Sequence, residues 1–307
     1  MANLLLYLAV VMIWGTTWIV IPFQIGVVPA EVSVAWRFIL ASAIMFAWVL
    51  LRRLPLRVRP RDHLFLALQG VLIFSTNFFL LYLAAQWLTT GIIAVVFSTA
   101  SVLTMLFNAL LHRRLPPGRV ALGAVCGAFG VGLIFWPELA GLGLDSEIGA
   151  GLLLCVAGTS SFALGGIVTA RNRTAGLPVR GGTAWAMAWG ALWLSTLALL
   201  RGQPFTWDPS VTWLGSLFWL AVVGSVVAFA AYFALLGRIG TDRAAYATVL
   251  FPVVALSLST VFEGYQWTAA AGLGVLLTLA GNLLVLGGPR AVPSGGPAPG
   301  ARPASGG

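Results

Sequence analysis

Apolar side chains in this chain come in long unbroken blocks, not in the alternation of half-buried strands or the narrow stripes of water-facing helices. Runs of about twenty apolar residues, the length needed for a helix to cross a hydrocarbon core, recur as far as Leu286. They are separated by short segments rich in Pro, Gly and Arg. The pattern predicts ten spanning helices, over residues 4–21, 32–51, 64–84, 91–111, 120–136, 148–170, 182–200, 211–236, 244–262 and 268–286. Pro22 stops the first, and the segment 137–147 joins two sets of five. Residues 289–307 are almost entirely Gly, Pro, Ala and Ser, a composition that cannot bury enough apolar surface to fold. A disordered cytoplasmic tail is expected there.

One stretch occurs twice. Ser75-Thr-Asn-Phe-Phe-Leu-Leu-Tyr-Leu-Ala84 aligns at a shift of 150 residues with Ser225-Val-Val-Ala-Phe-Ala-Ala-Tyr-Phe-Ala234. Ser75 meets Ser225, Phe79 meets Phe229, Tyr82 meets Tyr232 and Ala84 meets Ala234. The first three pairs, at i, i+4 and i+7, fall on one face of a helix. The chain is therefore expected to be two copies of a five-helix unit, over 1–137 and 148–288. Five is odd, so the second copy must run upside down relative to the first. Inverted repeats place a pseudo-twofold axis in the membrane plane and a solute site near the midplane between the halves. The expected fold class is an all-α integral membrane protein with ten transmembrane helices in two inverted repeats.

Composition supports a bilayer as solvent. Of 307 residues, 60% are hydrophobic and 8% charged, against roughly a quarter charged in soluble domains. The net charge of +9 does not imply nucleic acid, because the basic residues sit between apolar blocks. All 17 are arginines, and fifteen fall on one side if both termini are cytoplasmic; only Arg201 lies in an outer loop and Arg37 within a span. Met1 to Val11 has no basic residue ahead of its apolar run, so a retained first span is expected rather than a cleaved signal. Cys126 and Cys155 lie inside spans and are expected to be free thiols. The sequence has no cofactor motif and no metal-ligand spacing, and both His fall at the cytoplasmic edge, which disfavours a membrane-embedded enzyme.

Further short motifs carry a family resemblance. They are Trp14-Gly-Thr-Thr-Trp18, Ala35-Trp-Arg-Phe38, Gly237-Arg-Ile-Gly-Thr-Asp-Arg-Ala244, Phe251-Pro252 and Phe262-Glu-Gly264. With ten spans and paired halves, residues 4–288 resemble the ten-helix EamA-type carriers of the drug/metabolite transporter superfamily. The resemblance implies a bacterial inner-membrane exporter of amino acids, other metabolites or toxic compounds. It also implies a central cavity lined by spans 1, 3, 4, 6, 8 and 9, with spans 5 and 10 as scaffold. One departure is plain: Arg113 and Arg114 stand where such carriers place an acid after the fourth span, and only Glu263 keeps it in the second half.

Candidate cavity residues follow from polar and aromatic side chains at membrane depth. Ser75, Phe79 and Tyr82 with Ser225, Phe229 and Tyr232 come first, since a hydroxyl in hydrocarbon needs protein or water as partner; interhelical packing is the alternative. Ser98, Ser101, Thr104 and Asn108 share a broad face, and Thr248 and Phe251 are the counterparts of Ser98 and Ser101. Trp14, Thr17 and Trp18 are assigned to the cavity, as is Ser160 within the Thr159-Ser-Ser161 cluster. The stripe Trp185, Trp189 and Trp193 is assigned to lipid. Pro252 frees a carbonyl in the preceding turn, giving either a gate or a fixed kink. Arg37 has two readings: a side chain that snorkels to the outer surface, or a partner for an anionic solute. Gly123, Gly127, Gly130 and Gly132 with Gly272, Gly274 and Gly281 form small-residue seams for packing within a monomer or across a homodimer.

The partners expected are thus a small organic solute and lipid, with no nucleic acid. The leading expectation is a carrier exporting an amino acid-like or amphipathic metabolite by rocking inverted halves. A non-transporting structural or assembly protein, and a facilitator for an anionic solute using Arg37, are the alternatives.

Overall fold

The computed structural model describes residues 2–142, 147–245 and 247–286; the tail expected over 289–307 lies outside them. Among the described residues there are ten apolar helices and no strand. They are α1 (Asn3–Gln24), α2 (Ala30–Leu51), α3 (Pro60–Ala84), α4 (Thr90–Leu111), α5 (Gly118–Trp136), α6 (Glu147–Thr174), α7 (Val179–Leu200), α8 (Val211–Tyr232), α9 (Val249–Phe262) and α10 (Ala269–Leu286). Nine are long enough to cross a bilayer and α9 is shorter.

Local chemistry starts and stops these helices. Pro29 and Pro178 precede α2 and α7 with extended backbone, and Pro60 opens α3; proline presets the helical φ and lacks an N–H that would go unpaired there. Ser210 caps α8, its Oγ accepting from the Trp213 N–H at 3.2 Å. At the other ends the chain turns through the left-handed region at Arg53 after α2, Arg113 after α4, Gly202 after α7 and Gly264 after α9. These four form two pairs about 150 residues apart, so both halves terminate equivalent helices in the same way. A side chain with a Cβ is strained there, and Arg53 and Arg113 bear that cost in the first half.

Three pairs of equivalent helices lie antiparallel across the two halves. In α5 and α10, Gly123 opposes Gly281 while Gly130 opposes Gly274. In α4 and α9, Thr90 meets Glu263 and Phe97 meets Phe251. In α2 and α7, Phe46 packs on Trp185, and Trp36 reaches Thr206 just beyond α7. Numbers rise on one partner as they fall on the other. In addition α1 packs on α8 and α9 while α6 packs on α3 and α4, so exchanging each helix for the one five later preserves the arrangement. That is the contact pattern of inverted repeats.

Several local features were not legible in the hydrophobic pattern. α3 and α8 each contain a π-helical segment, Gly70–Thr76 and Trp219–Val227, and these overlap at the 150-residue shift that relates Ser75 to Ser225. π segments bend a helix and mark functional positions more often than regular helix does. α4 is interrupted at Thr99, and α9 carries Pro252 internally. A loop expected over 237–243 is instead helical, since the helix of α8 continues to Ala245; hydropathy there marks the exit from the membrane, not the end of hydrogen bonding. The Trp stripe of α7 is also corrected. Trp185 and Trp189 turn into the protein, donating to the Leu56 carbonyl (3.1 Å) and His63 Nδ1 (3.4 Å), and only Trp193 is exposed. An indole N–H has no acceptor in hydrocarbon, so two of the three follow their hydrogen bonds.

The glycine seam of α5 and α10 makes a direct test. A Cβ at Gly130 would sit 2.4 Å from Thr278 Oγ1 and 2.5 Å from the Gly274 carbonyl, whereas Gly132 has nothing within 4 Å. Overpacking of this kind costs about 1–3 kcal/mol. Gly130→Leu is expected to lower the thermal unfolding midpoint of the detergent-purified protein clearly, and Gly132→Leu to leave it near wild type. Equal midpoints would show that the seam is not tightly packed.

Candidate functional site

Two adjoining cavities occupy the space between the halves. The larger, about 840 Å³, opens among the segments joining α2 to α3 and α6 to α7, with Leu54, Pro55, Arg173, Pro178 and Arg180 at its rim. The deeper one, about 270 Å³, lies between α1, α2, α3, α4, α6, α8 and α9. Phe162, Phe229 and Tyr232 line both, so the first leads to the second past these three side chains.

The deep cavity is an aromatic box with a few polar groups. Trp18 stacks near Phe251 (6.0 Å between ring centres, 14° between planes) and meets Phe97 at 5.3 Å. Trp14 packs on Tyr232 at 5.0 Å and on Phe229 at 5.8 Å. The Trp14–Trp18 motif fits here because Gly15 brings α1 against α9: a Cβ there would lie 2.6 Å from Val254 Cβ. Thr17 also lines the cavity, and its hydroxyl is turned back to the Ile13 carbonyl.

On the opposite wall are Ser98, Ser101 and Thr104 of α4. Ser98 Oγ donates to the Val95 carbonyl (2.6 Å) and accepts from Asn282 Nδ2 of α10 (2.9 Å). Ser101 Oγ donates to the Asn282 Oδ1 at 3.3 Å. Asn282 thus grips α4 on either side of its break at Thr99.

Arg37 contributes the charge. It is only 2% exposed yet lines the deep cavity, so it does not snorkel. Its Nε and Nη2 both donate to Ser225 Oγ at 3.3 Å, and its Cζ lies 4.3 Å from the centre of the Phe78 ring. Ser225 in turn donates to the Leu220 carbonyl five residues back, within the π segment of α8.

The opposite end of the bundle is knit shut. Glu31 of α2 pairs with Arg201 beyond α7 at 3.0 Å. The Glu263 carboxylate accepts from the Thr90 N–H (2.9 Å), Thr90 Oγ1 (3.0 Å) and Ser259 Oγ (2.5 Å). Gln24 Nε2 donates to the Trp213 carbonyl (2.8 Å) and Ser216 Oγ (2.6 Å), joining α1 to α8. Glu31, Gln24 and Glu263 bond to partners more than 160 residues away in the sequence, and helical periodicity gives no sign of such pairs.

Of the residues singled out in the sequence, Trp14, Thr17, Trp18, Arg37, Ser98, Ser101, Phe229 and Tyr232 come together at the deep cavity. Ser225 stands behind Arg37, and Ser75 and Tyr82 are fully buried and line neither cavity, the Tyr82 hydroxyl lying beside Arg37. Phe79 faces the closed end, 5.9 Å from Arg201 Cζ, and its neighbour Phe78 takes the cavity position. Ser160 lines neither cavity, and its neighbours Thr159 and Ser161 bond to the Cys155 and Leu72 carbonyls. Pro252 is buried in α9 behind the lining residue Phe251. The side chain of Thr248 lies outside the described residues. The reasoning from sequence missed Phe78, Phe97 and Phe162 as lining residues, because an aromatic in an apolar run carries no mark of the face it occupies.

Known proteins match along both halves. The family model described as the EamA-like transporter family matches residues 1–136 and 149–287. The uncharacterised inner membrane transporter YedA of Escherichia coli K12 is 28% identical over 280 residues, covering 88% of this chain and 86% of its own. A probable amino-acid metabolite efflux pump of Salmonella typhimurium is 26% identical over 289 residues, covering 90% and 92%. A solved crystal structure superposes with a TM-score of 0.63 at 20% identity, covering 92% of this chain and 96% of its own, a likeness of fold. Ten apolar helices, a cavity between two like halves and a family match over both of them agree: the chain belongs to the EamA-like transporter family, and is a membrane transporter rather than an enzyme.

Proposed function

We propose that this protein is a multi-pass inner-membrane carrier that exports a small organic metabolite by alternating access. In this proposal 1–137 and 148–288 are the inverted repeats and both termini are cytoplasmic. The relatives named as inner membrane transporter and as amino-acid metabolite efflux pump support the location and the direction. The arginine bias supports the orientation, since it puts the open mouth, with Arg173 and Arg180, on the cytoplasmic side.

One observation carries the reading. Phe229 and Tyr232 line the open cavities, while of their repeat counterparts Phe79 packs at the closed end and Tyr82 is fully buried and lines neither cavity. Equivalent positions in inverted repeats lie at mirrored depths, so a hollow that opens on one side must treat them unequally. A carrier whose halves exchange conformations would expose Phe79 and Tyr82 on the other face and bury Phe229 and Tyr232. In that cycle Glu263 with Thr90 and Glu31 with Arg201 form the outer latch.

The test uses cysteines placed one at a time, Tyr232→Cys or Phe79→Cys, in protein with Cys126→Ala and Cys155→Ala. A membrane-impermeant maleimide is expected to label Tyr232→Cys from the cytoplasmic face and to leave Phe79→Cys slow from either face. Adding Glu263→Gln weakens three hydrogen bonds to a carboxylate; bonds to charged groups contribute about 1.5–3 kcal/mol each. A loss of only about 1.4 kcal/mol shifts a two-state balance tenfold. Labelling of Phe79→Cys from the outer face is therefore expected to rise about tenfold or more as that of Tyr232→Cys falls. Rates that do not move in opposite directions would leave a static membrane protein as the better description.

A further inference from the structure

We propose that the deep cavity takes its solute by a carboxylate held on Arg37, with a flat apolar body lying against the aromatic wall of Trp14, Trp18, Phe97 and Phe251. The proposal rests on the carrier reading and names the chemistry of its cargo.

A cation removed from water is costly unless a counter-charge compensates it. Arg37 is buried, lines the cavity and has no ion pair among the described residues. Its polar neighbours are neutral: Ser225 Oγ accepts from it at 3.3 Å and the buried Tyr82 hydroxyl lies beside it, while its Nη1 makes no well-formed hydrogen bond among the described residues. The face of Phe78 offers a weak attraction at 4.3 Å, not a neutralising charge.

Fold symmetry does not require the charge. At the shift of 150 residues the second half has Met187, fully buried, in the place of Arg37. The ionisable groups along the route agree with an anion. The described lining residues include Arg173 and Arg180 at the mouth and Arg37 at depth, and among them there is no Asp or Glu. Such a series raises the local concentration of anions at the mouth and disfavours cations.

Geometry selects the kind of anion. A guanidinium presents parallel N–H donors that match the two oxygens of a carboxylate. One buried positive charge balances one negative charge, whereas a phosphate monoester near neutral pH carries close to two. The rest of the wall is mostly aromatic with a few hydroxyls, and 270 Å³ lies just under the usual range of ligand sites, about 300–1,000 Å³. A small aromatic or branched monocarboxylate fits these terms, and an amino acid of that shape is included.

The test uses detergent-purified full-length protein and matched probes: phenylacetate, 3-phenylpropionate and indole-3-acetate, each beside the corresponding carboxamide and amine. Binding is measured by isothermal titration and movement by counterflow in proteoliposomes. In the wild-type protein at least one acid is expected to bind tenfold or more tighter than its amide, which is about 1.4 kcal/mol, with the amine weakest. Arg37→Gln is expected to bind acid and amide alike, and Arg37→Lys to keep part of the preference. The wild-type comparison needs no variant to fold. If amide or amine binds as tightly as acid, or if Arg37→Gln retains the preference, the assignment is overturned. Tighter binding of phenyl phosphate than of the acids overturns carboxylate in favour of phosphate. Counterflow of a skeleton without preference for the acid leaves the carrier standing and removes only the anion site. If no skeleton binds or moves, both readings fall.

Discussion

A bilayer interior supplies no hydrogen bonds, so polar groups within these helices must find partners in the protein. Most do so by the shortest route. The hydroxyls of Thr17, Thr104, Thr159, Thr169 and Thr278 each return to the carbonyl four residues earlier. This satisfies the hydroxyl and lets the helix offer a smooth surface to its neighbours. The remaining polar groups reach between helices, and those bonds distinguish the two ends of the molecule. At one end Glu31, Glu263 and Gln24 tie the halves together. At the other, Arg171 meets Asp62 at 3.4 Å and Asn172 meets Gln69 at 2.9 Å, leaving the space beside them open.

The halves are two copies in sequence but not two separable bodies. Three inter-half contacts pair a helix with its own counterpart, α2 with α7, α4 with α9 and α5 with α10, and α1 and α6 each pack on helices of the other half as well. Gly123 and Gly130 of α5 find their complement in α10, at Gly281 and Gly274. Van der Waals packing, not exclusion of water, drives such association in lipid, and backbones approach this closely only where Cβ atoms are missing. One half alone would expose that seam to lipid.

Much of the fold was legible because the membrane demands it. Apolar blocks of spanning length, and the short Pro- and Gly-rich segments that separate them, follow from solvent and backbone constraints that act locally. The recurrence of Ser75 and Phe79 as Ser225 and Phe229 exposed the repeat. The same recurrence misled about the site, because equivalence under an inverted symmetry does not say which copy faces the hollow: Phe229 does and Phe79 does not. The π segments of α3 and α8 were invisible for another reason. They change which carbonyl each N–H meets without altering the apolar composition. Arg37 was conspicuous in the sequence, but its burial depends on Ser225 and Phe78, one of them 188 residues away.

The grip of Asn282 has a consequence for how force passes through the molecule. Its amide holds Ser98 and Ser101, the residues flanking the interruption of α4 at Thr99. Cavity walls that tilt need a fulcrum, and a helix whose hydrogen-bond ladder is interrupted bends at that point. In a carrier that alternates access, Asn282, clasping both sides of the break from α10, would hold that pivot in place while the two arms of α4 change angle. A helix at the margin of the cavity would then set the leverage of the wall it supports.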